Sequence, residues 1–139
     1  MNKLLAALLF LLSFSAAHAD YATCTSFGHP AKTCALNSGD YATCVRFGHP
    51  AKLCALESGD FRTCTSLGNA AKTCALKSRN FETCVRLGNP SKLCALEAGD
   101  FRTCTSFGHP SKTCAYKSGD FTTCVRFGYP SKACALISR

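Results

Sequence analysis

The sequence predicts an all-α solenoid of six 20-residue helix-turn-helix copies that are stapled by disulfides. Three observations support this fold class. A 20-residue unit repeats six times without a gap, which is typical of a stacked repeat protein. Signals that start and stop helices alternate every ten residues. Cysteine recurs with the same ten-residue spacing, at Cys24, Cys34, Cys44, Cys54, Cys64, Cys74, Cys84, Cys94, Cys104, Cys114, Cys124 and Cys134.

The first nineteen residues are expected to lie outside this fold. A basic Lys3, an apolar run over 4–14 and a small-residue cleavage site at 17–19 predict a signal peptide over 1–19. The apolar run is shorter than the ~20 residues that a spanning helix needs, so we expect a secreted or periplasmic chain with no transmembrane segment after cleavage. The remainder is a single repeat domain, 20–139, divided into copies 20–39, 40–59, 60–79, 80–99, 100–119 and 120–139.

The second copy shows the helix signals clearly. Asp40 is a good N-cap for a helix over 41–47, and Gly48 can take the left-handed conformation that ends it. Pro50 is expected at the first position of the second helix, where its missing N–H has no partner to lose. Ala, Lys, Leu and Glu then predict a helix over 51–58.

A β-solenoid is the alternative fold. The Thr-Cys-Thr triplets at 23–25, 63–65 and 103–105 suit strands and resemble those of insect antifreeze β-helices. Such a solenoid would bind an ordered surface such as ice. The second half of each copy, for example Ala-Lys-Leu-Cys-Ala-Leu-Glu at 51–57, suits a strand poorly.

Three columns of large apolar side chains are expected to stack into a thin core. The columns are Tyr21, Tyr41, Phe61, Phe81, Phe101, Phe121; Phe27, Phe47, Leu67, Leu87, Phe107, Phe127; and Leu36, Leu56, Leu76, Leu96, Tyr116, Leu136. The third copy departs most from the pattern. Arg79 stands where most copies have glycine, and we expect an irregularity there because a side chain disfavours the left-handed conformation.

The cysteines of each copy lie symmetrically about its central turn. Pairing within copies uses all twelve, in the set Cys24–Cys34, Cys44–Cys54, Cys64–Cys74, Cys84–Cys94, Cys104–Cys114 and Cys124–Cys134. Pairing between copies, such as Cys54 with Cys64, would leave Cys24 and Cys134 without partners. The sequence lacks the close C-x2-C pairs of zinc sites and the C-x-x-C-H motif of c-type haem, so we expect no metal and no cofactor. Free thiolates that sequester copper or zinc remain an alternative function.

The junctions between copies resemble a known family. The stretch 52–68, KLCALESGDFRTCTSLG, is similar to the Sel-one-like cysteine-rich repeat proteins of bacteria, in which a Cys, a Leu and Gly/Asp turn, a second Cys and a Leu-Gly follow one another. The resemblance implies a secreted or periplasmic α/α solenoid with one disulfide per repeat that acts as a binding scaffold.

The charge distribution predicts anionic partners. Without Lys3, 15 Lys and Arg face eight Asp and Glu, a formal charge of +7. One column is always basic and predicts a binding stripe in which side chains project in a row, formed by Lys32, Lys52, Lys72, Lys92, Lys112 and Lys132. Arg46, Arg86 and Arg126 add a cation in every second copy. We expect a protein, an anionic glycan or an anionic surface as ligand, rather than nucleic acid.

The sequence does not predict an enzyme. It contains no nucleophile–base pair, paired carboxylates, phosphate loop or H-E-x-x-H motif, and its polar residues recur in every copy as a scaffold would require. His29, His49 and His109 precede a proline, but Asn69, Asn89 and Tyr129 take the same place in other copies. We therefore interpret the histidines as helix caps or exposed turn residues rather than as metal ligands.

Overall fold

The computed structural model describes residues 19–139, and the side chains from residue 21 onward. This part of the chain is all-helical, with two helices in each copy and no strand, so the β-solenoid alternative is wrong. The helices are α1 (Ala19–Ser26), α2 (Ala31–Asn37), α3 (Tyr41–Arg46), α4 (Ala51–Glu57), α5 (Phe61–Ser66), α6 (Ala71–Lys77), α7 (Phe81–Arg86), α8 (Ser91–Glu97), α9 (Phe101–Ser106), α10 (Ser111–Lys117), α11 (Phe121–Arg126) and α12 (Ser131–Ile137). Apart from Ala19, the predicted signal peptide lies outside the described residues.

The expected caps position the first helix of each copy. The side chains of Asp40, Asp60, Asn80, Asp100 and Asp120 each accept a hydrogen bond from the backbone N–H three residues later. Helix α1 instead begins at Ala19. Ala19 stands where later copies have a residue with positive φ, and alanine favours continuing the helix.

The prolines do not occupy the position expected from the sequence. Pro50 is the N-cap of α4, and Ala51 is its first helical residue. Its ψ of 136° is extended, while its carbonyl oxygen already accepts the first helical hydrogen bond, from Cys54 N. Both helices of the second copy also end one residue earlier than predicted, α3 at Arg46 and α4 at Glu57.

The twelve helices form two concentric layers. The backbones of the even-numbered helices pack against one another in sequence, α2 with α4, α4 with α6 and onward, whereas the odd-numbered helices meet one another only through side chains. Each odd-numbered helix packs in the groove between the even-numbered helix before it and the one after it. The even-numbered helices therefore form an inner layer and the odd-numbered helices an outer layer.

The solenoid closes on itself as a ring. Helix α12 packs against both α1 and α2. The same two contacts join each of the other five pairs of successive copies. His29 Nε2 donates a hydrogen bond to the carbonyl oxygen of Lys132 over 2.7 Å, the equivalent of the His49 to Lys32 bond between copies two and one. The rings of Phe27 and Phe121 also meet, with centroids 5.5 Å apart. Copies one and six are thus neighbours, and the fold is a six-copy toroid.

A narrow channel follows from this closure. Packed helices lie about 8–10 Å apart, and the radius of a hexagon equals its side, so the inner helices lie about 9 Å from the ring axis. The half-buried column of Leu36, Leu56, Leu76, Leu96, Tyr116 and Leu136 belongs to these inner helices. Side chains therefore occupy much of the space at the centre.

The fully buried core differs from the expected apolar columns. Among the described residues, the buried apolar side chains are the twelve cysteines and one alanine in each copy: Ala35, Ala55, Ala75, Ala95, Ala115 and Ala135. The alanines lie on the inner helices and are 0% exposed, so their small side chains let neighbouring inner helices approach closely. The aromatic columns instead pack between copies in the outer wall, and Phe27 and Phe107 remain 38% and 39% exposed.

Each disulfide joins the two helices of one copy. The structure pairs Cys24–Cys34, Cys44–Cys54, Cys64–Cys74, Cys84–Cys94, Cys104–Cys114 and Cys124–Cys134, with Cα atoms 5.6–5.7 Å apart. Because the ring closes, Cys24 and Cys134 lie in neighbouring copies. Pairing between copies would therefore not have left these two cysteines without partners, as the sequence suggested. The symmetry of each pair about its own turn is the feature that agrees with the observed pairing.

Arg79 takes the left-handed conformation, with a φ of 60° at a position where Gly39, Gly59, Gly99 and Gly119 have φ between 70° and 75°. The preceding helix also ends differently. Ser78 N bonds to Ala75 O, three residues back, whereas Ser58 and Ser118 bond four residues back. The irregularity expected from the sequence is therefore present in the third copy.

Replacing Arg79 with glycine is expected to stabilise the protein by about 1 kcal/mol. The left-handed conformation costs a residue with a side chain ~1–2 kcal/mol, and glycine avoids this cost. Glycine also raises the conformational entropy of the unfolded chain, which offsets part of the gain. Denaturant unfolding with the disulfides intact measures the change. Gly99→Arg is the matched control. A Cβ at Gly99 would meet nothing closer than 3.7 Å, so its expected loss comes mainly from a φ of 75°. A destabilised R79G protein would show that contacts of the Arg79 side chain outweigh the strain.

Candidate functional site

The ring has two chemically different faces. The turn face carries the four-residue turns within copies, 27–30 and its equivalents, together with the helix ends beside them. The junction face carries the connections between copies, 38–40 and its equivalents. Outer helices run from the junction face to the turn face, and inner helices run back.

The turn face collects cations. Each inner helix has a lysine as its second residue, and three outer helices end in arginine. All nine side chains are exposed, and they form what we call the basic ring: Lys32, Lys52, Lys72, Lys92, Lys112, Lys132, Arg46, Arg86 and Arg126. The predicted lysine row is therefore a closed circle, about 18 Å across at the inner-helix axes.

All seven acidic side chains that the structure describes lie on the junction face: Asp40, Asp60, Asp100, Asp120, Glu57, Glu82 and Glu97. Two of them pair with lysines of the next copy, Glu57 with Lys77 at 3.4 Å and Glu97 with Lys117 at 3.0 Å. Six of the 15 cations in 20–139 share this face, so its charges nearly cancel. Among residues 21–139, the turn face has no acid to offset its nine cations.

Three of the capping aspartates have lowered pKa values on the junction face. Hydrogen bonds from the Thr63, Thr103 and Thr123 hydroxyls and backbones hold the pKa values of Asp60, Asp100 and Asp120 below the ordinary 3.8. These carboxylates are therefore ionised at neutral pH. The separation of charge between the two faces persists wherever the protein meets near-neutral solution.

Hydrogen bonds between copies fix the backbone of the basic ring. In five copies the residue after the turn glycine reaches the preceding copy of the ring and donates to the lysine carbonyl there. The distances are 2.7–2.8 Å for the histidines and 3.1 Å for the asparagines. We call these residues the turn clasp: His29, His49, Asn69, Asn89 and His109.

Of the two roles expected for these histidines, the helix cap is wrong, and the structure places them as half-buried residues of the turns. The inner helices that follow them have no side-chain cap. An imidazole N–H and an amide N–H can both donate to a carbonyl, which explains why His and Asn exchange in this column. Tyr129 takes the sixth place, where its ring packs on Tyr116 at 4.9 Å and lies 5.1 Å from Lys112 Nζ.

An arc of phenylalanines lies beside the basic ring. Phe107, Phe127, Phe27 and Phe47 follow the outer helices of four consecutive copies, five, six, one and two, and this order is continuous only because the ring closes. Copies three and four have Leu67 and Leu87 at this position. One sector of the turn face therefore combines aromatic side chains with cations.

A cavity of about 150 Å³ opens at the junction-face mouth of the channel. Its lining includes Lys77, Arg79, Glu97, Lys117 and Arg139, from copies three to six. Arg79 and Arg139 hold the same position in copies three and six, and both make contacts within the protein. Cations and acids mix here, so this mouth lacks the single sign of charge that distinguishes the turn face.

Sequence reasoning identified the lysines of the basic ring but missed its circular shape, the turn clasp and the phenylalanine arc. The exchange of His with Asn was a signal for the turn clasp, since both donate through a side-chain N–H. The positions of the acids within the repeat were a signal for the charged faces, since none falls near a central turn.

The thiolates that metal sequestration would need are absent from the described structure, because every cysteine is in a disulfide. No group of three or more His, Cys, Asp or Glu within residues 19–139 could hold a metal ion.

None of the described helices is long and apolar enough to cross a membrane. Comparison with known proteins found no matching family model, no matching curated protein and no matching solved structure.

Proposed function

We propose that this protein is an exported, non-enzymatic binding scaffold whose turn face binds anionic partners. The observation that carries the proposal is the separation of charge, with nine cations and no described acid on one face of a stapled ring. The predicted signal peptide and the six disulfides support an oxidising compartment outside the cytoplasm. The resemblance to Sel-one-like repeat proteins supports the scaffold role.

A rigid ring suits this role physically. The disulfides and the turn clasp hold the lysine backbones at fixed separations, so several cations can engage one polyanion without ordering the protein further. After the first contact, each additional one is intramolecular and adds avidity. The attraction should weaken as salt shortens the Debye length from ~10 Å at 0.1 M to ~3 Å at 1 M.

Binding to immobilised heparin, used as a general polyanion, tests the proposal. We expect the protein to bind at low salt, and replacement of Lys52, Lys72 and Lys92 by glutamine to lower the salt needed for elution. The matched control replaces Arg62, Lys77 and Arg102, which removes the same formal charge from the junction face. This control protein should elute at nearly the same salt concentration as the unmodified protein.

Equal losses from the two triple variants would contradict an organised site and leave only the effect of net charge. Because the heparin experiment probes charge alone, it does not depend on which anionic partner is natural. Circular dichroism of both variants checks that the helices are intact. Five of the six substituted residues are exposed. Lys77 is half-buried and also loses its ion pair with Glu57.

A further inference from the structure

We infer that the natural anionic partner is a phospholipid bilayer, on which the ring lies flat with its turn face toward the headgroups. This inference rests on the proposed function and adds the class of partner and the orientation. It depends on three features of the turn face: the planar arrangement of its cations, its lack of described acids and its aromatic arc.

The shape of the basic ring favours a planar partner. Its cations lie at equivalent helix ends around a circle, so a flat surface reaches all of them together. A linear polymer that crosses the ring meets cations mainly where it enters and leaves the circle. Near an anionic membrane each Lys or Arg raises the affinity roughly fivefold, through an attraction that falls off within a Debye length.

The phenylalanine arc supplies the apolar contribution that a lipid surface can use. Phe27 and Phe107 are 38% and 39% exposed, although each still packs on a phenylalanine of the preceding copy. Aromatic side chains next to cations are typical of faces that lie in the headgroup region. A soluble polyanion would give these rings no comparable apolar environment.

The absence of tryptophan from the sequence allows a direct test of orientation. Phe107→Trp places a single fluorophore on the turn face, and Thr122→Trp, at an exposed position in the first turn of α11, places one on the junction face as the matched control. Each variant is purified after export, with its disulfides intact. It is then mixed with vesicles of phosphatidylcholine alone or of phosphatidylcholine and phosphatidylglycerol.

We expect both variants to sediment with the anionic vesicles and not with the neutral ones. Only the F107W protein should show a blue shift of its tryptophan emission. Replacing Lys52, Lys72 and Lys92 by glutamine in the F107W protein should weaken vesicle binding about 100-fold at low salt, at roughly tenfold per 1.4 kcal/mol.

The outcomes separate the two proposals. Heparin binding without binding to anionic vesicles would overturn the bilayer inference and leave the proposed function standing. Failure on both probes would overturn the two together. Vesicle binding with no shift in the F107W protein, or with a shift in the T122W protein, would overturn the orientation inferred here.

Discussion

Complete reduction of the six disulfides is expected to unfold the entire ring. The described core consists of cystines and alanines, so reduction removes the covalent ties and leaves few large buried side chains to replace them. The helices have six to eight residues, whereas isolated helices are already marginal at ~12–15 residues. Each bridge closes a loop with a separation of ten residues, which contributes about 3 kcal/mol in the chain-entropy model.

Far-ultraviolet circular dichroism before and after reduction measures this effect. We expect a helical spectrum for the oxidised protein and loss of most of its helical signal once all twelve cysteines can be alkylated. The oxidised protein held in the spent reaction buffer controls for the solvent. A fully reduced protein that kept its helical spectrum would show that packing between copies stabilises the ring without the bridges.

Joining residue 139 to residue 20 through a peptide bond is expected to stabilise the repeat domain by up to about 5 kcal/mol, because cyclisation lowers the entropy of the unfolded chain. The ring makes this bond possible because α12 packs against α1. The inner helices of the five other copies pack in the same way against the outer helix of the next copy. Arg139→Gly provides the glycine that usually precedes the capping residue of the next copy.

The matched control is the linear R139G protein, compared by denaturant unfolding with all disulfides intact. An open stack would hold its first and last copies apart, so the new bond could form only by disrupting some of the packing. A cyclic protein less stable than its linear control would therefore contradict closure.

Local structure was predictable because its causes are local. Asp40 caps α3 through its own side chain, and Gly48 has a φ of 90° where the helix must end. Both effects depend on neighbouring residues and recur in most copies. Pro50 was misplaced by one position because proline suits both the N-cap and the first helical residue, and only its ψ distinguishes them.

Closure was not predictable because it depends on a small rotation accumulated over six copies, about 60° each for a full circle. That rotation depends on two spacings. One is how closely Ala35 and its equivalents let neighbouring inner helices approach, and the other is how far apart the outer helices hold neighbouring copies. The alanine is present in all six copies, but its position alone does not give an angle. The shape of the basic ring follows from closure, which is why the sequence predicted a row.

Distances between spin labels at equivalent exposed positions test closure most directly. Labels are attached through an unnatural amino acid, which leaves the cysteines in their disulfides, in the pairs 22–42, 22–82 and 22–122. A ring predicts that the 22–122 distance equals the 22–42 distance and that 22–82 is the longest, because copy four lies opposite copy one. A 22–122 distance longer than 22–82 would show an open solenoid and contradict the account.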